Sequence, residues 1–284
     1  MIKIGFLANG EMLSWDYVKL CNFIKEAGYD CVELIDDIIF AENKTPKDND
    51  ILVNSLKESG LTVSEILLQH DLVLTDEAQR KANISLICEN IKKAADIGAD
   101  TVNVFTGPVP WLPDSIAVGR EVSASEAWKW VFEAFDDILP VAENRKVRVA
   151  VENVWGMLVH DFYTNKYLQS NFASKNLGVN LDPSHDVLYG NTDMKFLVNG
   201  WGKEKIFHVH VKDAVGIPEP GKFVFPVIGE GNVNFAEFFG ALKALDYNGA
   251  VSVEFESWAY RNTVWGGMHA PSAPAMRKIL DKYL

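Results

Sequence analysis

Four short segments of this chain each close a hydrophobic run with groups able to hold a divalent cation. They are Val147-Arg-Val-Ala-Val-Glu152-Asn153, Gly178-Val-Asn-Leu-Asp182-Pro-Ser-His185, Ile206-Phe-His208-Val-His210-Val-Lys-Asp213 and Val251-Ser-Val-Glu254-Phe-Glu256. A carboxylate or imidazole taken out of water is costly unless it is paired or coordinated. Four such groups at the ends of four apolar runs point to convergence on one ion. Ligation rich in carboxylates with a single imidazole suits Mn²⁺, Mg²⁺ or Co²⁺ better than a thiolate-loving zinc site. Mn²⁺ is the expected ion, with Mg²⁺, Co²⁺ and Zn²⁺ as alternatives.

The elements that would position these groups alternate along the whole chain. Strand-like runs at 2–7, 31–36, 61–68, 101–106, 147–153, 177–182, 206–211 and 251–255 are each followed by a helix-like pattern. The helices fall at 15–27, 46–59, 76–97, 123–144, 162–171, 193–199, 234–245 and 273–283. Gly28, Gly60 and Gly98 follow helices as ordinary C-cap punctuation. The runs are dominated by Val, Ile and Leu, as parallel strands covered by helices are. Eight strand–helix pairs predict a (β/α)8 TIM barrel spanning residues 1–284 as one domain. A doubly wound open sheet is the alternative, but no glycine-rich dinucleotide turn follows the first strand.

In such a barrel the reactive groups lie at the C-terminal ends of the strands. Residues i and i+2 of a strand share a face, which adds a second test. If the valines face the helices, Glu152, Asn180, Asp182, His208, His210, Ser252, Glu254 and Glu256 all point inward. Parity therefore delivers Glu, Asp, His and Glu to one axial site. Glu33 also has inward parity, and is expected to bind a hydroxyl or, preferably, to pair with Arg148.

Composition limits the partners. The 284 residues carry a formal net charge of −12 with no basic block, a field that repels phosphate backbones, so nucleic acid is not expected. No apolar stretch approaches the roughly 20 residues of a membrane span, and no membrane partner is expected. The chain enters a strand-like run at once, without a signal-peptide layout. Cys21, Cys31 and Cys88 are dispersed and read as reduced thiols. A cytoplasmic protein is the expectation.

The motifs Val-Glu152-Asn153, Asp182-Pro-Ser-His185, His208-Val-His210-Val-Lys-Asp213 and the run Pro226-Val-Ile-Gly-Glu-Gly-Asn-Val-Asn-Phe235 carry a family resemblance. Over nearly its whole length the chain resembles the xylose-isomerase-like superfamily, which includes ketose 3-epimerases, inosose dehydratases, hydroxypyruvate isomerases and endonuclease IV-type AP endonucleases. The resemblance implies a metal held by Glu152, Asp182, His210 and Glu254, with His185 touching a substrate oxygen. Taking His210 rather than His208 follows the family pattern, in which the second histidine of the pair is the ligand; Glu256 competes with Glu254.

The implied chemistry is that of a sugar isomerase or epimerase acting on a sugar, keto-sugar or cyclic polyol. A metal bound to adjacent hydroxyl and carbonyl oxygens acidifies the C–H between them and stabilises an enediolate. Glu152 and Glu254 would then serve as the acid/base pair. The same site could act as a lyase, by keto-inositol dehydration or by β-elimination from a 3-keto-glycoside. An endonuclease IV-like phosphodiester hydrolase is disfavoured, because Phe105-Thr106-Gly107 stands where that family has a zinc-binding histidine. Besides His185, the residues expected to contact substrate are His70, Lys212, Trp111, Trp155 and Arg261. Lys212 and Asp213 are read as positioning substrate or metal, or as a surface ion pair. A homodimer or homotetramer is expected from the resemblance and the aromatic loops.

Overall fold

The protein is described here by a computed structural model covering residues 2–40 and 44–284. Eight parallel strands close a barrel: β1 (Lys3–Leu7), β2 (Cys31–Ile35), β3 (Thr62–Leu68), β4 (Thr101–Val104), β5 (Arg148–Glu152), β6 (Leu177–Leu181), β7 (Ile206–Val211) and β10 (Ala250–Val253). Between the last two lies a small antiparallel hairpin of β8 (Val215–Gly216) and β9 (Phe223–Val224). Around the barrel run α1 (Tyr17–Glu26), α2 (Asp36–Ile39), α3 (Pro46–Ser59), α4 (Glu77–Asp96), α5 (Ala124–Arg145), α6 (Phe162–Ser170), α7 (Pro183–Leu188), α8 (Met194–Trp201), α9 (Phe235–Ala244), α10 (Trp258–Val264) and α11 (Ser272–Leu280).

The alternating valines explain the two-layer packing. Val149, Val151, Val179, Val209, Val211, Val251 and Val253 are all fully buried in the core. Each such side chain contributes about 1.5–3 kcal/mol when taken out of water. Helix starts carry their own stops and starts in sequence. Asp16 Oδ1 accepts the Lys19 N–H at 2.8 Å to open α1, Thr45 and Asp48 form a capping box before α3, and Gly60 closes α3 at φ +68°.

Several elements depart from the sequence expectation. The long connection after β7 contains the β8–β9 hairpin, and the final loop contains α10. The eighth barrel strand ends at Val253, so Glu254 and Glu256 sit just beyond it. A further departure is in β3. There Val32 pairs with Val63 but Leu34 with Ile66, so Ser64 and Glu65 both stand opposite Glu33. Such a bulge breaks strict alternation, and both side chains turn into the barrel: Ser64 Oγ lies 3.2 Å from Ser252 Oγ, and Glu65 Oε2 lies 3.2 Å from His208 Nδ1.

Candidate active site

At the C-terminal mouth of the barrel, one ligand atom each from Glu152, Asp182, His210 and Glu254 lie within 4.8 Å of one another. Their placement follows from local structure. Glu152 ends β5, and its Oε2 accepts the Asn103 amide N–H at 2.7 Å. Asp182 caps α7 by accepting the Ser184 N–H on Oδ1 at 2.8 Å. Its other oxygen, Oδ2, is buried without a hydrogen bond, 3.0 Å from Lys212 Nζ. His210 on β7 turns Nδ1 toward Glu152 Oε1 (3.0 Å) and Glu254 Oε2 (3.1 Å), and Nε2 toward Glu33 Oε1 (2.8 Å). Three carboxylates with one imidazole, and an aspartate oxygen short of a donor, suit a hard divalent cation.

Two cations offset part of the charge of this cluster. Lys212 Nζ reaches Glu254 Oε2 at 2.5 Å, Asp182 Oδ2 at 3.0 Å and Glu256 Oε2 at 3.2 Å. Burial opposes the charge on Lys212, but these carboxylates outweigh it and hold the ammonium well above its ordinary range. His210 behaves alike: burial pulls it down, while Glu33, Glu152 and Glu254 push it well above the usual imidazole range. Burial alone would raise Glu254; Lys212 and His210 bring it well below the usual carboxylate range. Glu256 lacks that second cation, and burial lifts it to about 7.

His185 is the neutral member. Burial, reinforced by Lys212, lowers it to about 3. Its Nδ1 accepts the Trp155 backbone N–H at 3.4 Å, which leaves the proton on Nε2. That N–H points at the cluster, 3.5 Å from Asp182 Oδ2 and 4.0 Å from Glu152 Oε1. It is placed to donate to a substrate oxygen.

Directly beneath lies a second acidic group, Glu33, Glu65, His208 and His210, with ligand atoms again within 4.8 Å. All four are fully enclosed. His208 bridges Asn180 Oδ1 (3.1 Å) and Ser252 Oγ (3.0 Å), and burial keeps it well below the usual imidazole range. Burial first, then the charge of Glu33, pushes Glu65 well above the usual carboxylate range. Neither Glu65 oxygen has a hydrogen-bond partner. The expected Glu33–Arg148 pair does not form. Arg148 sits at the opposite end of β5, 2.9 Å from Asp100 Oδ1, and Glu33 takes His210 instead.

Above the cluster opens a cavity of about 900 Å³, lined by Glu152, Glu254, Glu256, Lys212 and His185 at its floor and by several aromatic residues. Trp111 and Trp155 line it. His70 and Arg261 do not. Gln69 faces the cavity and its neighbour His70 turns the other way, with Nε2 2.7 Å from Asp36 Oδ2. Arg261 lies on α10, which the sequence reading treated as loop; Trp258, Ala259, Tyr260 and Thr263 line the cavity while Arg261 is buried against the face of Trp258, 3.6 Å from its ring centre. Asp213 is fully buried, so it is no surface ion pair, and it does not line the cavity. Its carboxylate accepts backbone N–H groups from Ala214, Gly229, Gly231 and Val233 at 2.8–3.0 Å. A side chain at Gly231 would run into that carboxylate, and Gly229 takes a left-handed backbone at φ +88°, which together account for the two glycines of the 226–235 run.

Asn103 and Glu65 escaped the sequence reading. Each is a polar residue inside a short apolar strand, which is itself the signal; the bulge hid the orientation of Glu65.

Residues 21–278 match the family described as xylose isomerase-like TIM barrel. The chain belongs to that family. It is 29% identical over 185 residues to an uncharacterised protein of Methanocaldococcus jannaschii, a match covering 63% of this chain and 58% of that protein. A Haemophilus influenzae protein with the provisional name L-ribulose-5-phosphate 3-epimerase is 23% identical over 270 residues, 92% of this chain and 90% of its own length. Among solved structures, a D-tagatose 3-epimerase-like protein superposes with a TM-score of 0.76 at 22% identity, covering 99% of this chain and 97% of that one. The barrel architecture is thus shared along essentially the full length.

Proposed function

We propose that the protein is a divalent-metal-dependent sugar isomerase or epimerase, with Mn²⁺ as the preferred ion. One observation carries the reading. Of the four clustered ligand groups, Asp182 and His210 are sealed behind the floor, while Glu152 and Glu254 open onto the cavity. Two groups are free to meet substrate as proton carriers while also serving the ion. The epimerase names of the relatives support the same chemistry.

A divalent ion held by Glu152, Asp182, His210 and Glu254 would supply positive charge for an oxyanion developing on the substrate. The chain itself does the rest. Glu152, oriented by Asn103, and Glu254, oriented by Lys212, enter from strands separated by β6 and β7. A C–H held between them is reached by one carboxylate for removal of the proton and by the other for its return, which inverts the carbon. His185 Nε2–H donates to the neighbouring substrate oxygen and fixes the ring's position. Positioned acid/base groups of this kind contribute about 10²–10⁴-fold each.

The test is proton–deuterium exchange followed by NMR in D₂O, on ketoses, keto-inositols and keto-glycosides, with Mn²⁺-loaded protein and a Glu152→Gln control. Deuterium entering a C–H position only with the intact protein is the expected result, and the labelled carbon separates epimerisation from isomerisation. Tight Mn²⁺ binding without exchange on any of these compounds would refute the proposal.

A further inference from the structure

The cavity is larger and more aromatic than a single sugar ring requires. Pockets that take drug-sized ligands run from about 300 to 1,000 Å³. At about 900 Å³ this one lies near the top of that range, and a sugar seated on the carboxylate floor leaves most of it open. The remaining space has a continuous aromatic wall. Phe225 stands edge-on to His185, with ring centres 5.5 Å apart, and 4.9 Å from Lys212 Nζ. Phe223 follows at 5.3 Å from Phe225, and Trp155 at 4.7 Å from Phe223. The three rings lead outward from the floor. Trp111, Trp258 and Tyr260 also line the cavity and remain 49%, 62% and 38% exposed.

Charge narrows the ligand further. Glu152, Glu230, Glu254 and Glu256 face the same space. Among the described residues Lys212 is the one ammonium or guanidinium in the cavity wall, and Asp182, Glu254 and Glu256 already hold it. A phosphate on the substrate would meet like charge and find no free cation, at a cost that low-dielectric walls amplify. An uncharged ligand with a flat apolar part meets neither obstacle, and gains stacking on the rings.

We propose that the substrate is an uncharged glycoside, its sugar ring on the carboxylate floor and a planar apolar aglycone packed against Trp155, Phe223 and Phe225. This assignment rests on the sugar isomerase or epimerase reading. It also has a chemical consequence. An aglycone blocks the anomeric carbon, so the carbonyl that acidifies the C–H must lie elsewhere on the ring. The reaction that supplies this substrate is therefore the oxidation of a ring hydroxyl.

The experiment compares phenyl glucoside, methyl glucoside and glucose 6-phosphate by titration calorimetry on Mn²⁺-loaded protein, which needs no turnover. Phenyl glucoside is expected to bind about tenfold or more tightly than methyl glucoside, as stacking on two rings allows, and glucose 6-phosphate more weakly than either. Phe223→Ala and Trp155→Ala should each draw the phenyl-to-methyl ratio toward one. Equal affinities in the wild type, tightest binding of the phosphate, or a sedimenting dimer whose tryptophans are closed to acrylamide quenching would overturn the proposal. The two readings part in the companion exchange assay. Aryl preference without C–H exchange on the ring-oxidised glycosides sinks the isomerase or epimerase reading and leaves the aglycone site standing. Exchange without aryl preference does the reverse.

Discussion

Two acidic layers are stacked inside this barrel, and they solve the same electrostatic problem in opposite ways. The upper layer, Glu152, Asp182, Glu254 and Glu256, sits at the strand ends beneath the cavity and contains Lys212 and His210. The lower layer, Glu33 and Glu65 around His208, is sealed on all sides and reaches only one of those cations, His210. Upstairs, Glu254 is drawn below its ordinary range by two neighbouring positive charges. Downstairs, Glu65 is driven far above it by burial and by Glu33. The same side-chain type is thus favoured as a carboxylate in one layer and as a carboxylic acid in the next. A buried carboxylate stays charged where a cation is built in beside it; Lys212 serves the open layer, and His210 is shared between the two.

The comparison breaks most visibly at the open layer's proton carriers. Glu152→Gln and Glu254→Gln are each expected to lower turnover by about 10²–10⁴-fold and to weaken Mn²⁺ binding, read by exchange kinetics and calorimetry on the same samples. A Glu254→Gln protein of normal activity would hand its role to Glu256.

Next in size is the removal of the built-in cation. Lys212→Met leaves three carboxylates facing one another and should destabilise the ion-free protein by about 3–5 kcal/mol, the usual cost of stripping one partner from a buried ion pair. Mn²⁺ should restore more of the melting temperature in this variant than in the wild type, because binding to the native state alone stabilises it. Equal Mn²⁺ responses would mean that Lys212 does not share its partners with the ion.

Glu33 tests the contact between layers. Its carboxylate faces His210 Nε2 at 2.8 Å, the arrangement that orients a ligating imidazole and raises its basicity. Glu33→Gln is expected to weaken Mn²⁺ binding about 10–100-fold. In the wild type, affinity should climb as pH rises past the ordinary imidazole range, because His210, held above that range, must lose its proton to bind. In Glu33→Gln the climb should begin at lower pH.

The smallest effect belongs to Glu65, and it is one of stability. With its folded pKa raised above the unfolded value near 4.3, its contribution is fully present below that value and is lost as pH rises through the folded one. Glu65→Gln should therefore equal the wild type under acid conditions and melt a few degrees higher in alkali. A variant less stable than the wild type at every pH would place an ionised Glu65 in the lower layer.

Most of the barrel could be read from alternation, because Val, Ile and Leu runs of strand length separated by capped amphipathic helices leave few other folds. The four clustered carboxylate and imidazole groups were readable for the same reason, since each lies on or just past a barrel strand, and the register shift between β6 and β7 at Val179/Asn180 comes before Asp182 and His210 without changing the parity that turns them inward. Legibility failed where alternation itself is interrupted. The β3 bulge turned Glu65 inward beside Ser64. His70 and Gln69 lie past the end of β3, where parity no longer constrains a side chain. Arg261 was misjudged because α10 rotates it behind Trp258, and nothing in the 258–264 segment announces a helix by periodicity alone. The β8–β9 hairpin is only two residues per strand, too short for any repeat to register, although it carries a ring that matters most to the proposed specificity.

Asp213 gives that hairpin a particular status. Its carboxylate grips Ala214 at the start of the connection and Gly229, Gly231 and Val233 at its return, and Asn232 N–H closes on the Ala214 carbonyl at 2.9 Å. The segment between therefore leaves and re-enters the barrel through one gate, a single side chain adjacent to Lys212. Whatever is strung between those posts can lengthen, shorten or change its aromatic content while the ligand-bearing end of β7 stays where it is. The fold has in effect a socket beside its reactive centre, and a chain that keeps Asp213 and the two glycines can exchange what is plugged into it.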